Sequence, residues 1–560
     1  MRNMRYGIRS LVLQTMTLLI AIALCFPGFG AGSADERCRT TYEIFVYSFC
    51  DSDGDGIGDL NGVCSKLDYI KDLGFDQIWL MPVCPSPTYH KYDVTDYMAI
   101  DPAYGTMEDF EALLAQCHER GIRVITDLVL NHTSSQHPWF LKAEEYLLQL
   151  PEGEEADASE CPELEYYHFT QSPQSGYAKI GDTSWYYEAR FWEGMPDLNL
   201  DSDAVRDEIR KIISFWLEKG VDGFRLDAVP YYYTGSDEKN IEFLRWVKSV
   251  SGSSYIVCEA WIDQSLYAQY YASGADSMFD FAYAGAEGML AKTVRGQLGA
   301  DRFVESLAAE QALYSSYSDT YVNAPFYTNH DLDRSAGYYA YDDGSRTKFA
   351  LGLNLLMSGN AFLYYGDEIG MKGSGKDENK RVPMRWTEES AEDPAGDPEG
   401  LAEEDAAIAG MCKGPDGMDS VKQKFPCVSE QEKDPFSILN YTKQVISLRN
   451  QYDVIRDGTV VPVPELESRE VGAYLKTASA DTSEARPGSP ADSGGDSAVP
   501  EPVEVIFNSS EDLQTVDLSA AGNDFRTLAE TLCVSEDPVT LEGDLLTLPP
   551  FGIAILEQAG

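Results

Sequence analysis

The chain has 560 residues, is 43% hydrophobic and carries a formal charge of −50 at pH 7. That length allows roughly two to four domains, or one barrel with attachments, with apolar content for a large core. The charge excludes nucleic acid, whose phosphates it would repel, and favours a neutral or cationic partner.

The N-terminus reads as an export signal over residues 1–34. Arg2, Arg5 and Arg9 precede an apolar run from Leu11 to Phe26, followed by the small residues "GFGAGSAD". The run is short for a membrane span and is broken by Gln14, Thr15 and Thr17, so a cleaved signal and a secreted protein are expected. Cys25 raises a lipid-anchored alternative, but Leu24 before it is larger than such processing sites usually accept. No later stretch is apolar and long enough to span a bilayer, so no transmembrane helix is expected after cleavage.

Strand-like apolar runs then alternate with amphipathic helical stretches. The runs are "YEIFVYSF" (42–49), "FDQIWLMPV" (75–83), "IRVITDLVLNH" (122–132), "VDGFRLDAV" (221–229), "SYIVCEAW" (254–261), "SMFDFAY" (277–283), "VNAPFYTNHD" (322–331) and "GNAFLYYGDEIG" (359–370). Eight such units predict an α/β fold, a (β/α)8 TIM barrel with catalytic groups at the C-terminal strand ends. Its first part spans 35–132 and its second 199–455. Residues 133–198 are too many for a bare loop and predict an inserted subdomain B. Its "SWYYEARFW" suits either a small core or a sugar-stacking wall. Residues 388–405 are acidic and predict an exposed loop; 437–452 predict the last barrel helix. Alternating runs over 456–560 predict a C-terminal antiparallel β domain. A low-complexity insert at 478–502 is expected to be disordered.

Eleven cysteines are present. Cys117 and Cys258 fall in apolar helical and strand-like stretches and read as buried hydrophobes. Cys412 and Cys427 flank a loop-rich segment and are the candidate disulfide pair. The absence of paired CxxC spacing argues against zinc.

Asp227, Glu259 and Asp331 end the fourth, fifth and seventh strand-like runs, where a barrel gathers its chemistry. Glycosidic cleavage needs a carboxylate that attacks the anomeric carbon and a second that protonates the leaving oxygen. The two must differ in proton affinity, so a cation is expected beside the nucleophile and not beside the acid. Arg225, two residues before Asp227 on one strand, falls on the same face.

The strand ends "DLVLNH", "GFRLDAV", "CEAW" and "TNHD", in that order, resemble the four signature regions of the α-amylase family of glycoside hydrolases. "YDVTDY" (92–97) and "MPDLNL" (195–200) are further family-like strings. The resemblance implies Asp227 as nucleophile, Glu259 as general acid/base and Asp331 as the third, transition-state-stabilising acid. It implies Arg225, His132 and His330 around the sugar, Tyr92 as a platform beneath it, and Asp127 and Asn131 as supports. Within the family, "MPDLN", "PTYHKYDVTDY", "YYGDEIGMKGSG" and "RVPMRW" resemble the group between oligo-1,6-glucosidases and neopullulanases. Ala228 after the nucleophile tilts the expectation toward α-1,4 bonds, since α-1,6-preferring relatives tend to carry valine there. Pro230 departs from the lysine–histidine pair of many amylases, and Tyr231 to Tyr233 are left to stack on sugars or to pack.

The expected function is retaining hydrolysis of α-1,4 bonds in starch and maltooligosaccharides by a monomer. The alternatives are a 4-α-glucanotransferase, an exo-acting α-glucosidase or oligo-1,6-glucosidase, and, in another class, an inactive carbohydrate-binding or transport-accessory relative.

One acidic stretch, "DSDGDGIGDL" (51–60), stands apart. Asp51, Asp53, Asp55 and Gly56 fit EF-hand spacing, but position twelve is Gly62 rather than an acid. No second copy supports a dockerin-like module, and a solvated turn is the plain alternative. The resemblance implies one Ca²⁺ held by Asp51, Asp53, Asp55, Asp59 and the Ile57 carbonyl, supporting the first loop without touching the scissile bond.

Overall fold

The computed structural model describes residues 35–387, 410–478 and 500–559. The expected signal at 1–34, the acidic loop at 388–405 and nearly all of the 478–502 insert lie outside the described residues.

Short strands open the fold: β1 (Thr40–Ile44) and β2 (Gln77–Leu80), both wholly buried, and β3 (Arg123–Leu128), buried except at Arg123 and Asp127. An insertion follows, with the helix Pro138–Gln149 and a small antiparallel sheet of β4 (Phe169–Thr170), β5 (Tyr177–Lys179) and β6 (Tyr186–Glu188). The main sheet resumes with β7 (Gly223–Leu226), β8 (Tyr255–Cys258), β9 (Ser277–Met278) and β10 (Ala361–Tyr364). All pairings are parallel, in the order β10-β1-β2-β3-β7-β8-β9. Parallel strands buried on both faces need continuous apolar sequence, which is why these segments do not alternate.

The expected seventh strand, 322–331, is not a regular one. It joins its neighbours through single parallel bridges, Phe279↔Ala324 on one side and Phe326↔Phe362 on the other. Pro325 has no N–H to donate, which limits the ladder there. The sheet is thus a curled, incomplete (β/α)8 barrel with that segment spanning the gap.

Local signals set the helices between strands. Thr106 and Asp109 form a capping box that starts Met107–Glu119. Ser202 caps Asp203–Lys219, and Gly220 ends it at φ +104, a left-handed position that favours glycine. That turn delivers the chain into β7. The last barrel helix is Ile438–Gln451, as expected.

The C-terminal part carries β11 (Thr459–Pro462), β12 (Val471–Thr477), β13 (Val503–Asn508), β14 (Gln514–Asp517), β15 (Phe525–Leu532), β16 (Thr540–Glu542), β17 (Leu545–Leu548) and β18 (Ile553–Gln558). They form antiparallel sheets in the orders β11-β12-β13-β18-β15 and β14-β17-β16, around a separate apolar cluster that includes Ile506, Leu546 and Leu556. Two buried lysines fasten this part to the barrel. Lys476 on β12 donates to Ser358 Oγ and the Ile455 carbonyl, and Lys348 donates to the Val534 carbonyl. Among the described residues no helix is long and apolar enough to cross a membrane.

Cys117 and Cys258 are fully buried, as expected. The Cys412–Cys427 bridge is not present; both are free thiols. Cys427 Sγ lies 3.4 Å from Ser429 Oγ, at the start of a short helix, and Cys412 lies in a different stretch of the loop.

Candidate active site

The C-terminal ends of β3, β7 and β8 and the 322–331 segment converge on one cleft of about 600 Å³. Its lining includes Tyr92, His132, Asp227, Glu259 and Asp331. Arg225 lies beneath, fully buried.

Arg225 organises the acids. Its Nη1 is 2.5 Å from Asp227 Oδ1 and 2.8 Å from Asp127 Oδ1. Its Nη2 is 3.2 Å from Glu259 Oε2. This corrects the expectation that the cation sits by one acid only. A guanidinium is a planar fork with five N–H donors, and here it serves three carboxylates at once. Burial nevertheless dominates at Glu259 and pushes its pKa up to about 7; the nearby Arg225 opposes this, while Asp227 and Asp331 add to it. Glu259 Oε2 also accepts the Ala228 N–H at 2.9 Å.

Ala228 has φ +49, uncommon for a residue with a Cβ. This turn directs the chain away from β7 immediately after Asp227, while its N–H stays on Glu259. A strained residue between two acids is the kind of cost found at functional sites.

Asp331 has a different environment. His330 Nε2 lies 3.1 Å from its Oδ2, and Arg381 Nη2 donates to its Oδ1 at 2.9 Å. Burial alone would raise its pKa, but these two cations hold it well below the usual carboxylate range. His330 is itself held by Glu43, at 2.6 Å from Nδ1, and by the Tyr92 hydroxyl, at 2.8 Å from Nε2. Burial lowers its proton affinity, but Asp331 and Glu43 outweigh it and raise the pKa to about 10. The Tyr92 ring stacks on His330 at 5.5 Å.

Asp127 accepts from Trp79 Nε1 and Tyr92, and burial raises its pKa to about 6. Asn131 donates to Asp197 at 3.1 Å, linking β3 to the inserted subdomain. Among the described residues, buried His132 has no hydrogen-bond partner on Nε2, and its ring lines the cleft. Burial lowers its pKa, so it presents a neutral imidazole.

Sequence reasoning missed Glu43 and Arg381. A glutamate inside the apolar run "YEIFV" was a signal of a buried partner. Arg381 opens "RVPMRW", read there only as a family string. It ion-pairs with Asp377 at 2.6 Å as well as with Asp331.

The acidic loop lies outside this cleft. Asp51, Asp53 and Asp59 bring carboxylate oxygens within 4.8 Å of one another; Asp55 is exposed and is not in that group. Asp51 accepts the N–H groups of Asp53, Gly54 and Gly56, and Asp59 accepts from Ser52 and Gly62. Hard oxygen donors fit Ca²⁺ chemically. Asp51 Oδ2 and Asp59 Oδ2 each accept one N–H and keep a second lone pair, whereas Oδ1 of each already accepts two donors.

Acids with separated proton affinities, gathered at the strand ends of a curled parallel barrel, define a glycoside hydrolase of the retaining type. The profile described as "Alpha amylase, catalytic domain" matches residues 43–458, so the chain belongs to the α-amylase family. Eubacterium rectale Amy13B superposes with a TM-score of 0.85 at 42% identity, covering 95% of this chain and 98% of that one. "Alpha-amylase 3" of Dictyoglomus thermophilum is 38% identical over 77% of this chain and 81% of its own length. "Trehalose synthase/amylase TreS" of Mycolicibacterium smegmatis is 32% identical over 75% and 76%. Others, at 28–32% identity, are named trehalose synthase, glucan 1,6-alpha-glucosidase and oligo-1,6-glucosidase. The chain is a retaining family member with an α-glucan class of substrate.

Proposed function

We propose that the enzyme works on short α-glucosides, passing the glucosyl unit from a covalent intermediate either to water or to a second sugar. The cleft that gathers the acids, about 600 Å³, has room for a short saccharide, and the names of the relatives carry the choice of reaction. Relatives named for α-1,6 cleavage or trehalose synthesis support the exo-acting or transferring alternative better than starch hydrolysis. Endo-hydrolysis of α-1,4 bonds is the second reading, favoured by Ala228 and by the relative named α-amylase.

In both, Asp227 attacks the anomeric carbon and Glu259, protonated near neutral pH, donates to the leaving oxygen. The resulting carboxylate of Glu259 then takes a proton from water or acceptor. Asp331, held ionised by His330 and Arg381, stabilises the positive charge that develops on the sugar ring. Tyr92 packs beneath the sugar, and His132 offers it a neutral nitrogen.

Asp51, Asp53, Asp55, Asp59 and the Ile57 carbonyl are proposed to hold Ca²⁺ as a support for the first loop. Export through a cleaved signal and a monomeric state complete the proposal. Product analysis on maltotriose, panose, pullulan and soluble starch tests the substrate reading. Products longer than maltotriose, or release of glucose from panose, support it. Rapid loss of starch viscosity without transfer products favours the second reading.

A further inference from the structure

Glu43 is the one acidic residue of β1, a strand in which every residue is buried. A carboxylate in such a place is costly unless it has a charged partner. Among the described residues its ion-pair partner is His330, whose Nδ1 lies 2.6 Å from Glu43 Oε1. The same oxygen lies 3.4 Å from the His330 backbone nitrogen, which donates to it. Arg225 stands near but is engaged by Asp127, Asp227 and Glu259. Glu43 does not line the cleft, so it acts on the chemistry only through His330.

The His330 ring is fixed in position and in charge. Tyr92 stacks on it with planes at 16°, and Trp79 meets it edge-on at 5.6 Å. Its Nδ1 faces the Glu43 carboxylate; its Nε2 faces the Asp331 carboxylate at 3.1 Å and the Tyr92 hydroxyl at 2.8 Å. An ionised carboxylate only accepts hydrogen bonds, and a neutral imidazole has a single N–H. Two carboxylates, one on each nitrogen, therefore call for an N–H on both, which is the imidazolium. The other charges around the pair act from β3, β7 and β10. Asp127 and the imidazolium favour each other's charge, and Arg225 favours ionised Glu43 against the effect of burial. Asp367, after β10, and Glu43 each make the other harder to ionise, while buried Tyr364 stays a neutral phenol.

We propose that Glu43 is a positioning residue that keeps His330 doubly protonated, so that Asp331 always faces a fixed cation. This rests on the role given to Asp331 above. Without the Glu43 charge, His330 would keep its place between Tyr92 and Trp79 but would lose its second proton more readily. Asp331 would then keep Arg381 and lose its other cation.

The test follows the ring N–H groups of isotope-labelled histidine by NMR, with the His330 signals assigned by their loss in His330→Asn. In the wild type both N–H groups should persist to about pH 9. Glu43→Gln keeps an acceptor at Nδ1 and removes the charge, so the second N–H should be lost at least about 1 pH unit lower. Glu43→Asp, which keeps the charge, should restore most of that difference. Kinetics on α-glucosyl fluoride supply the second readout. There the C1–F bond breaks, the C1–O bond to Asp227 forms, and fluoride leaves as the anion, so no proton from Glu259 is needed. In the wild type kcat/KM should stay level from about pH 7 to about pH 9, whereas in Glu43→Gln it should fall about tenfold per pH unit above the lowered midpoint. A His330 ring already neutral in the wild type at about pH 8, or one that titrates alike in wild type and Glu43→Gln, overturns the proposal. So does an equal loss of rate at every pH, the mark of a glutamate that only supports the fold. Wild-type protein that releases no fluoride overturns the reading of the site instead, and the ring titration still decides the role of Glu43.

Discussion

Two groups of acids, one in the 51–59 loop and one at the strand ends, differ in what surrounds them. In the loop, Asp51 and Asp59 accept N–H groups from their own turn, and Asp53 and Asp55 stand in solvent. At the strand ends, Asp227 and Glu259 share a buried guanidinium, and Asp331 lies between an imidazole and a second guanidinium. The first arrangement holds a loop. The second sorts proton affinities, leaving Glu259 near neutrality and Asp331 ionised. Density of carboxylates in sequence is thus a poor guide to chemistry; burial beside a cation is a better one.

The contrast is broken most severely by Asp227→Asn. Turnover should fall by at least about 10⁴-fold while the melting temperature stays within a few degrees. Near-normal rates would remove the nucleophile assignment.

The next effect is on pH. Glu259 must be protonated to donate, so kcat/KM should fall about tenfold per pH unit above about 7, measured on a short α-glucoside. The same shift has a stability consequence of definite sign. The folded-state pKa lies above the unfolded value, so folding loses stability as pH rises from about 4.3 to about 7 and stays lower beyond. Glu259→Gln should therefore be more stable than wild type at pH 8, on the order of 2 kcal/mol, in denaturant titrations. Equal stability at pH 8 would mean that the carboxylate is better solvated than its burial implies.

Effects in the loop should be smaller and of another kind. Rigorous chelation should lower the melting temperature by roughly 2–4 °C before it lowers the rate at mild temperature. An unchanged melting curve would argue against bound Ca²⁺. Asp55→Asn should be the mildest change, within about 0.5 kcal/mol in stability and with normal turnover. A large loss there would return the loop to the catalytic machinery.

Much of this was legible in sequence because a parallel barrel makes its strands read as uninterrupted apolar runs, with the working residue at the end. Asp227, Glu259 and Asp331 stood out for that reason, and Arg225 followed from period-two alternation. The 322–331 segment was read as a regular strand because composition does not reveal that Pro325 thins its pairing to single bridges. The contacts of Arg225 with Asp127 and Glu259 were not legible, because which carboxylates a fork spans depends on strand packing and not on spacing. Arg381 lies fifty residues beyond Asp331 in sequence and meets it only through the fold.

The buried ammonium of Lys476 also bears on how this chain can be cut. Its proton affinity is depressed by burial, to a pKa of about 7, and its hydrogen bonds run to Ser358 and Ile455 on the barrel side. Removing the last hundred residues would strip β12 away and leave those acceptors and the adjoining apolar surface open to water. The C-terminal sheet is therefore not an interchangeable cassette. A shortened or chimeric enzyme must carry this lysine, or an apolar seal of equal volume, across the junction to remain folded.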